Sequence, residues 1–94
     1  MNCWVYILRL RSGSLYVGAC RNLRRRYDQH LRGKGSRQTA LDPPITIAYA
    51  EEHPTFVLAR RREAQLKRWS RAKKEALIRG DLQELKALAR RRGQ

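Results

Sequence analysis

Glu63 stands where an apolar residue is expected. The stretch from Pro54 to about Trp69 reads as a helix whose apolar face carries Phe56, Ala59 and Leu66. Glu63 falls on that face, four residues after Ala59 and three before Leu66. A carboxylate inside an apolar stripe is costly unless it is paired or bound to a cation. Two readings stand at this point. The carboxylate pairs with one of the many arginines, or it anchors a divalent metal, since Mg²⁺ is often held by one or two carboxylates with phosphate oxygens and water. Arg26 and His30 form a second constellation. They are four residues apart on an earlier helix, beside the stripe Leu23, Tyr27 and Leu31, so they stack about 6 Å apart on one flank. A guanidinium and an imidazole placed together can grip a phosphate oxygen and move a proton; the plainer alternative is a surface Arg beside a lone His. Tyr6 and Tyr16 form the third. As core residues they need no explanation, but as chemical groups on adjacent strands they can aim two hydroxyls at one place. A phenol with its ordinary pKa near ~10 is a poor base at neutral pH, and a nearby metal ion or guanidinium favours the phenolate.

The elements that must position these groups follow from the local pattern. Cys3 to Leu10 is aromatic and β-branched and reads as a strand; Arg11-Ser12-Gly13-Ser14 is turn chemistry; Leu15 to Ala19 reads as a second strand, giving a hairpin. Asn22 is placed to cap a helix running to about Arg32, with Gly33 just past its end. A basic, glycine-containing loop (Gly33 to Arg37) and Pro43-Pro44 lead into a third strand, Ile45 to Glu51. The Glu63 helix opens at Pro54-Thr55. Ser70 caps a third helix ending at Gly80, and Asp81-Leu82-Gln83-Glu84 is a capping box for a fourth. Leu82, Leu85 and Leu88 give that last helix an apolar edge, for the core or for a second copy. The expected fold class is α+β: a three-stranded antiparallel sheet flanked by helices, in the order β-β-α-β-α-α-α, with no repeat and no linker.

Charge says what such groups would act on. The 94 residues carry 22 Lys+Arg against 8 Asp+Glu, a formal net charge of +14, and 17 of the basic residues are arginine. That excess repels itself unless a polyanion screens it. Arginine's planar donor fork suits phosphate, and nucleic acid is the commonest polyanionic partner. Runs such as Arg24-Arg25-Arg26 ordinarily end as solvated helix faces, but the net excess favours nucleic acid. An acidic membrane surface is the weaker reading, because no helix pairs its basic face with a broad aromatic one. The apolar runs are a few residues long, far short of the ~20 that span a bilayer, and no basic-then-apolar leader opens the sequence. Neither a membrane partner nor secretion is expected. Cys3 and Cys20 are too few for a disulfide framework or a zinc site and fit packing roles in a reduced, cytoplasmic setting.

Taken in order, these residues resemble the GIY-YIG nuclease superfamily, and within it the small stand-alone YhbQ-like members. The two signature tripeptides appear as Trp4-Val5-Tyr6 and Tyr16-Val17-Gly18, with their tyrosines ten residues apart. Arg21 to Arg26 looks like the family's basic helix start, with the motif arginine at Arg26, ten after Tyr16. His30 falls where the family places a Tyr or His, and the metal-binding glutamate maps to Glu63 in Arg62-Glu63-Ala64-Gln65-Leu66-Lys67. The loop Gly33 to Thr39 and the strand end Tyr49-Ala50-Glu51 look like the stand-alone group. The likeness covers roughly residues 3–79. It departs from the family where the first tripeptide lacks Gly and Ile, where Ala19 follows Gly18, and where Glu75 stands in place of an Asn about twelve residues after the glutamate.

The resemblance implies a nuclease-like domain over residues 1–80, with 81–94 its C-terminal helix and basic tail. It implies a site on one sheet face, between the hairpin and the two main helices. There a phosphodiester, most simply of DNA, would be hydrolysed by in-line attack of water. Glu63 would hold one Mg²⁺ or Mn²⁺, Arg26 would grip a non-bridging oxygen, and Tyr6 or Tyr16 would orient or deprotonate the water with help from His30. No small-molecule cofactor is implied. Arg24, Arg25, Lys34, Arg37, Lys67, Lys73 and Lys74 are the expected nucleic-acid contacts. No separate recognition domain is visible, so selection by nucleic-acid structure is expected over selection by sequence. The competing class is a non-catalytic basic module that binds DNA or RNA on a nuclease scaffold. The oligomeric state is not readable.

Overall fold

The computed structural model describes residues 2–92. Its sheet has the order β2-β1-β3, all antiparallel: β1 is Cys3–Leu10, β2 Leu15–Cys20 and β3 Pro44–His53. Central β1 pairs Tyr6 with Gly18 of β2 and Ala50 of β3. It carries most of the buried bulk, with Val5, Tyr6, Ile7, Leu8 and Leu10 all at 1% exposure or less. Edge strands are where proline is tolerated, which is how β3 can open on Pro44.

Five helices follow the expected signals, with one addition. These are α1 Leu23–Leu31, α2 Arg37–Leu41, α3 Phe56–Lys67, α4 Arg71–Arg79 and α5 Leu82–Arg92. Asn22, Ser36, Thr55 and Ser70 each accept a backbone N–H three residues on, and Asp81 does the same for Glu84. A cap of this kind contributes about 1 kcal/mol. Gly80 ends α4 with φ +72°, a conformation in which a Cβ would be strained. The addition is α2, one short turn inside the stretch expected to be loop, capped by Ser36. Helix α5 packs on α4 and leaves Leu82 exposed. The end of the expected basic tail, residues 93 and 94, lies outside the described residues. Among those described, no helix is long and apolar enough to cross a membrane.

Strand alternation divides the core in two. Cys3, Val5, Ile7 and Val17 face Ala59 and Leu66 of α3, with Trp69, Leu77 and Ile78 behind them. Tyr6, Leu8, Leu10 and Cys20 face the other way, toward Leu23 and Tyr27 of α1. The two main helices therefore lie on opposite faces of the sheet, not on one. The buried face of α1 is also turned from expectation. Leu31 is 49% exposed, and His30 takes the inward position. Cys3 and Cys20, both buried and free, point to opposite faces.

Candidate active site

On the α1 face, Tyr6, Tyr16, His30 and Arg26 come together. The Tyr6 hydroxyl lies 2.8 Å from His30 Nε2, and His30 Nδ1 lies 2.8 Å from Thr39 Oγ1. The His30 ring meets Tyr16 edge-on at 5.2 Å between centroids and Tyr6 at 5.8 Å. Gly18 makes the arrangement possible, because a Cβ there would sit 2.3 Å from the Tyr6 hydroxyl. Gly35 does the same for the imidazole, where a Cβ would lie 2.2 Å from Nδ1. Arg26, half-buried on the same helix, donates to Gln29 Oε1 at 3.0 Å and to the Gly35 carbonyl at 2.9 Å. Two of its five N–H groups are thus committed to holding the fork in place, and the others remain for a ligand.

Burial sets the protonation states. Tyr6 is pushed up to about 12 by desolvation, against the opposing pull of the Arg26 guanidinium. Arg26 acts on the phenol through both a hydrogen bond and its charge, and burial outweighs the two. His30 is pulled down to about 4 by burial and then by Arg26. At neutral pH both are uncharged. The one proton of the buried phenol has His30 Nε2 as its acceptor, which leaves Nδ1–H to donate to Thr39. Thr39, wholly buried, continues the chain to Ser36, the cap of α2. Tyr6 and His30, at 1% and 0% exposure, brace the site from beneath. Tyr16 is only half-buried, and its hydroxyl makes no hydrogen bond to the described residues. Thr39 and Gly35 are the site residues that sequence reasoning missed. The signal available was Ser36 three residues before Thr39, a helix cap placed inside a presumed loop.

Glu63 lies on α3, over the opposite face. The start of α3 is fixed near the end of β2, since the Arg21 guanidinium, just past Cys20, sits 4.4 Å above the Phe56 ring. Beyond its end, Arg71 of α4 donates to the carbonyl of Gly13, just before β2. Helix α3 therefore runs back along β2, and Glu63, about 10 Å down the helix from Phe56, lies level with the middle of that strand. β2 is an edge strand, with Tyr16 on one face of the sheet and α3, which carries Glu63, packed over the other. The Glu63 side chain is 11% exposed, with Arg60 Nε at 3.2 Å from one oxygen and Lys67 Nζ at 3.0 Å from the other. Among the described residues no group of three or more His, Cys, Asp or Glu stands ready as a metal cage. One hard oxygen donor at an open edge fits an ion such as Mg²⁺ that keeps most of its waters.

The basic residues divide by position. Arg24, Arg25, Lys34 and Arg37 are exposed on and after α1. A groove of about 210 Å³ lined by Cys20, Arg21, Asn22, Arg25, Arg26 and Gln29 shares Arg25 and Gln29 with a second of about 350 Å³ that reaches Arg32 and Lys34. Together they form a mainly basic trough along α1, with Arg21, Arg25, Arg26, Arg32 and Lys34 in its walls beside one acid, Asp28. Lys67 is engaged with Glu63. Lys73 stacks on Trp69 at 4.2 Å, and Lys74 lines a separate hollow with Ser14, Leu15, Gln38 and Arg71. Glu75 is tied to Arg9 at 2.8 Å and to Arg71 at 3.2 Å, which pins α4 to β1. A hollow of about 540 Å³ along α5 contains none of the site's groups.

Residues 2–76 match the GIY-YIG catalytic domain. A UPF0213 protein of Xanthomonas axonopodis pv. citri is 40% identical over 74 residues, 79% of this chain and 72% of that one. A UPF0213 protein of Staphylococcus aureus is 36% identical over 75 residues, 80% of this chain and 92% of that one. The solution NMR structure of a UPF0213 protein from Bacillus halodurans superimposes with a TM-score of 0.56 at 36% identity, covering 86% of each chain.

Proposed function

Because the chain belongs to the GIY-YIG catalytic domain family, we propose that it is a metal-dependent endonuclease that hydrolyses phosphodiester bonds of DNA. It would select by nucleic-acid structure and serve in repair or recombination in the cytoplasm. What supports this reading is the match of residues 2–76 to the GIY-YIG catalytic domain, together with Tyr16 against His30, Arg26 held at the Gly35 carbonyl and the semi-buried carboxylate of Glu63 on α3.

Each group has a task. The free N–H groups of Arg26 hold a non-bridging phosphate oxygen as charge builds on it; one such preorganised donor is worth about 3–4 kcal/mol in a transition state. Tyr16, with an uncommitted hydroxyl, orients the attacking water by accepting a hydrogen bond from it, and the proton that the attack releases leaves to bulk water. Tyr6 and His30, buried and neutral, assist by positioning Tyr16, whose ring rests against the imidazole. Glu63 would hold Mg²⁺ or Mn²⁺, which when bound would supply Lewis acidity to the phosphate and charge neutralisation at the leaving 3′ oxygen. The trough along α1 guides the strand to Arg26, with Arg24, Arg25, Lys34 and Arg37 at its rim and Lys67, Lys73 and Lys74 reaching flanking phosphates.

The test is incubation with single-stranded, duplex and branched DNA and with RNA, in Mg²⁺, Mn²⁺ or EDTA, beside the Glu63→Ala variant. Cleavage that needs both the metal and Glu63 supports the reading. Tight binding with no cutting under any condition leaves a non-catalytic DNA- or RNA-binding module. Equal cutting by the variant overturns the site.

A further inference from the structure

We propose that Arg60 and Lys67 form a latch on Glu63 that nucleic-acid phosphate opens, so that polyanion and divalent cation each strengthen the other's binding at this edge. The proposal rests on the reading of Glu63 as the metal-holding carboxylate. Both carboxylate oxygens are engaged: Arg60 holds Oε1 at 3.2 Å and Lys67 holds Oε2 at 3.0 Å, from one turn before and one turn after on the same helix. A cation can reach neither oxygen without displacing one of them.

The two sides of the latch differ in freedom. The Glu63 side chain is 11% exposed and cannot follow its partners outward, whereas Arg60 and Lys67 are 64% and 55% exposed on long, mobile side chains. Exposed ion pairs of this kind are weak, so phosphate can draw these cations away. Arg60 also has a second resting place. Its guanidinium lies 5.9 Å from the centre of the Phe56 ring, which also carries the guanidinium of Arg21, a wall of the basic trough. A strand in the trough brings phosphate to the groups that hold the carboxylate shut. Thermodynamic linkage makes the effect reciprocal: whatever factor the polyanion gives the metal, the metal gives the polyanion.

The test is Mn²⁺ binding followed by electron paramagnetic resonance, with wild type, the Arg60→Met/Lys67→Met double variant and Glu63→Gln. Arg61→Met serves as a control that removes one charge from an exposed position of the same helix. Each protein is titrated alone and with a saturating cleavage-resistant phosphorothioate oligonucleotide, after subtracting the ions that the oligonucleotide holds itself. The double variant alone should bind Mn²⁺ about tenfold tighter than wild type, within the usual range of such couplings. The oligonucleotide should tighten wild type by about tenfold more than it tightens the double variant, in which only direct contact of phosphate with the ion remains, while Arg61→Met follows wild type. Equal, Glu63-dependent affinities in wild type and double variant overturn the latch and leave the metal assignment standing. Binding that ignores Glu63→Gln in every protein overturns both.

Discussion

The Tyr6 hydroxyl and His30 Nε2 meet at 2.8 Å in a hydrogen bond closed to solvent. Two side chains that the sequence offers to the attacking water are thus partners of each other first. Their shared proton orients the imidazole, and the imidazole in turn supports Tyr16, the phenol left with a free hydroxyl.

His30 makes folding sensitive to acid. Its folded pKa of about 4 lies below the ordinary imidazole value of 6.5, so between those limits the unfolded chain binds more protons than the folded one. Stability must fall as pH drops through about 6.5 and stop changing on this account below about 4, for a total of about 3 kcal/mol. Urea denaturation of wild type and His30→Gln at pH 7, 6, 5 and 4.5 checks this. The gap between the two proteins should narrow with falling pH, and a constant gap would contradict it.

The hydrogen-bond chain also predicts the cost of losing Thr39. Thr39→Val keeps the shape and removes the acceptor for the His30 Nδ1–H, stranding a buried donor at a cost of about 1–3 kcal/mol. Thr39→Ser should restore most of it. If Thr39→Val melts with wild type, the tautomer assigned to His30 is wrong.

Gly18 should tolerate no side chain, for a reason separate from backbone freedom. A Cβ would meet the Tyr6 hydroxyl at 2.3 Å, against the rigid end of a buried ring. Gly18→Ala should therefore destabilise by about 1–3 kcal/mol through overpacking, and the Gly18→Ala/Tyr6→Phe pair should recover part of the loss. Thermal melts of the three variants decide it.

How much of this was legible in the sequence depends on what fixed each feature. The strands, the caps at Asn22 and Ser70 and the stop at Gly80 are local, and the structure keeps them. Helix α2 escaped notice because five residues are too few for a periodic pattern, although Ser36 and Thr39 carried its cap. The placement of α1 and α3 on opposite faces was not legible, because it depends on which way each strand's alternation points. The rotation of α1 was hidden for another reason. His30 is polar by type, and only Thr39 and Tyr6 together make burying it cheaper than burying Leu31.

Arg26 should separate catalysis from binding. Arg26→Ala removes one charged donor from the reacting phosphate and should lower cleavage a hundredfold or more, the equivalent of about 3–4 kcal/mol. The salt dependence of DNA binding should change by no more than one phosphate contact. Single-turnover cleavage and anisotropy titrations at several salt concentrations read the two effects independently. A loss confined to affinity would move Arg26 out of the reacting centre and into the trough.

Arg24 and Arg25 should behave in the opposite way. Both are exposed on α1, neither touches Tyr16 or His30, and their role is to neutralise backbone phosphate. Each contact with a duplex contributes about 0.9 to the slope of log affinity against log salt. Arg24→Ala/Arg25→Ala should flatten that slope by about 1.8 and weaken binding across sequences, while cleavage at saturating protein stays within about twofold of wild type on the same account. A collapse of the saturated rate would mean that the trough aligns the scissile bond as well as gathering the strand, and the division of labour along α1 would have to be redrawn.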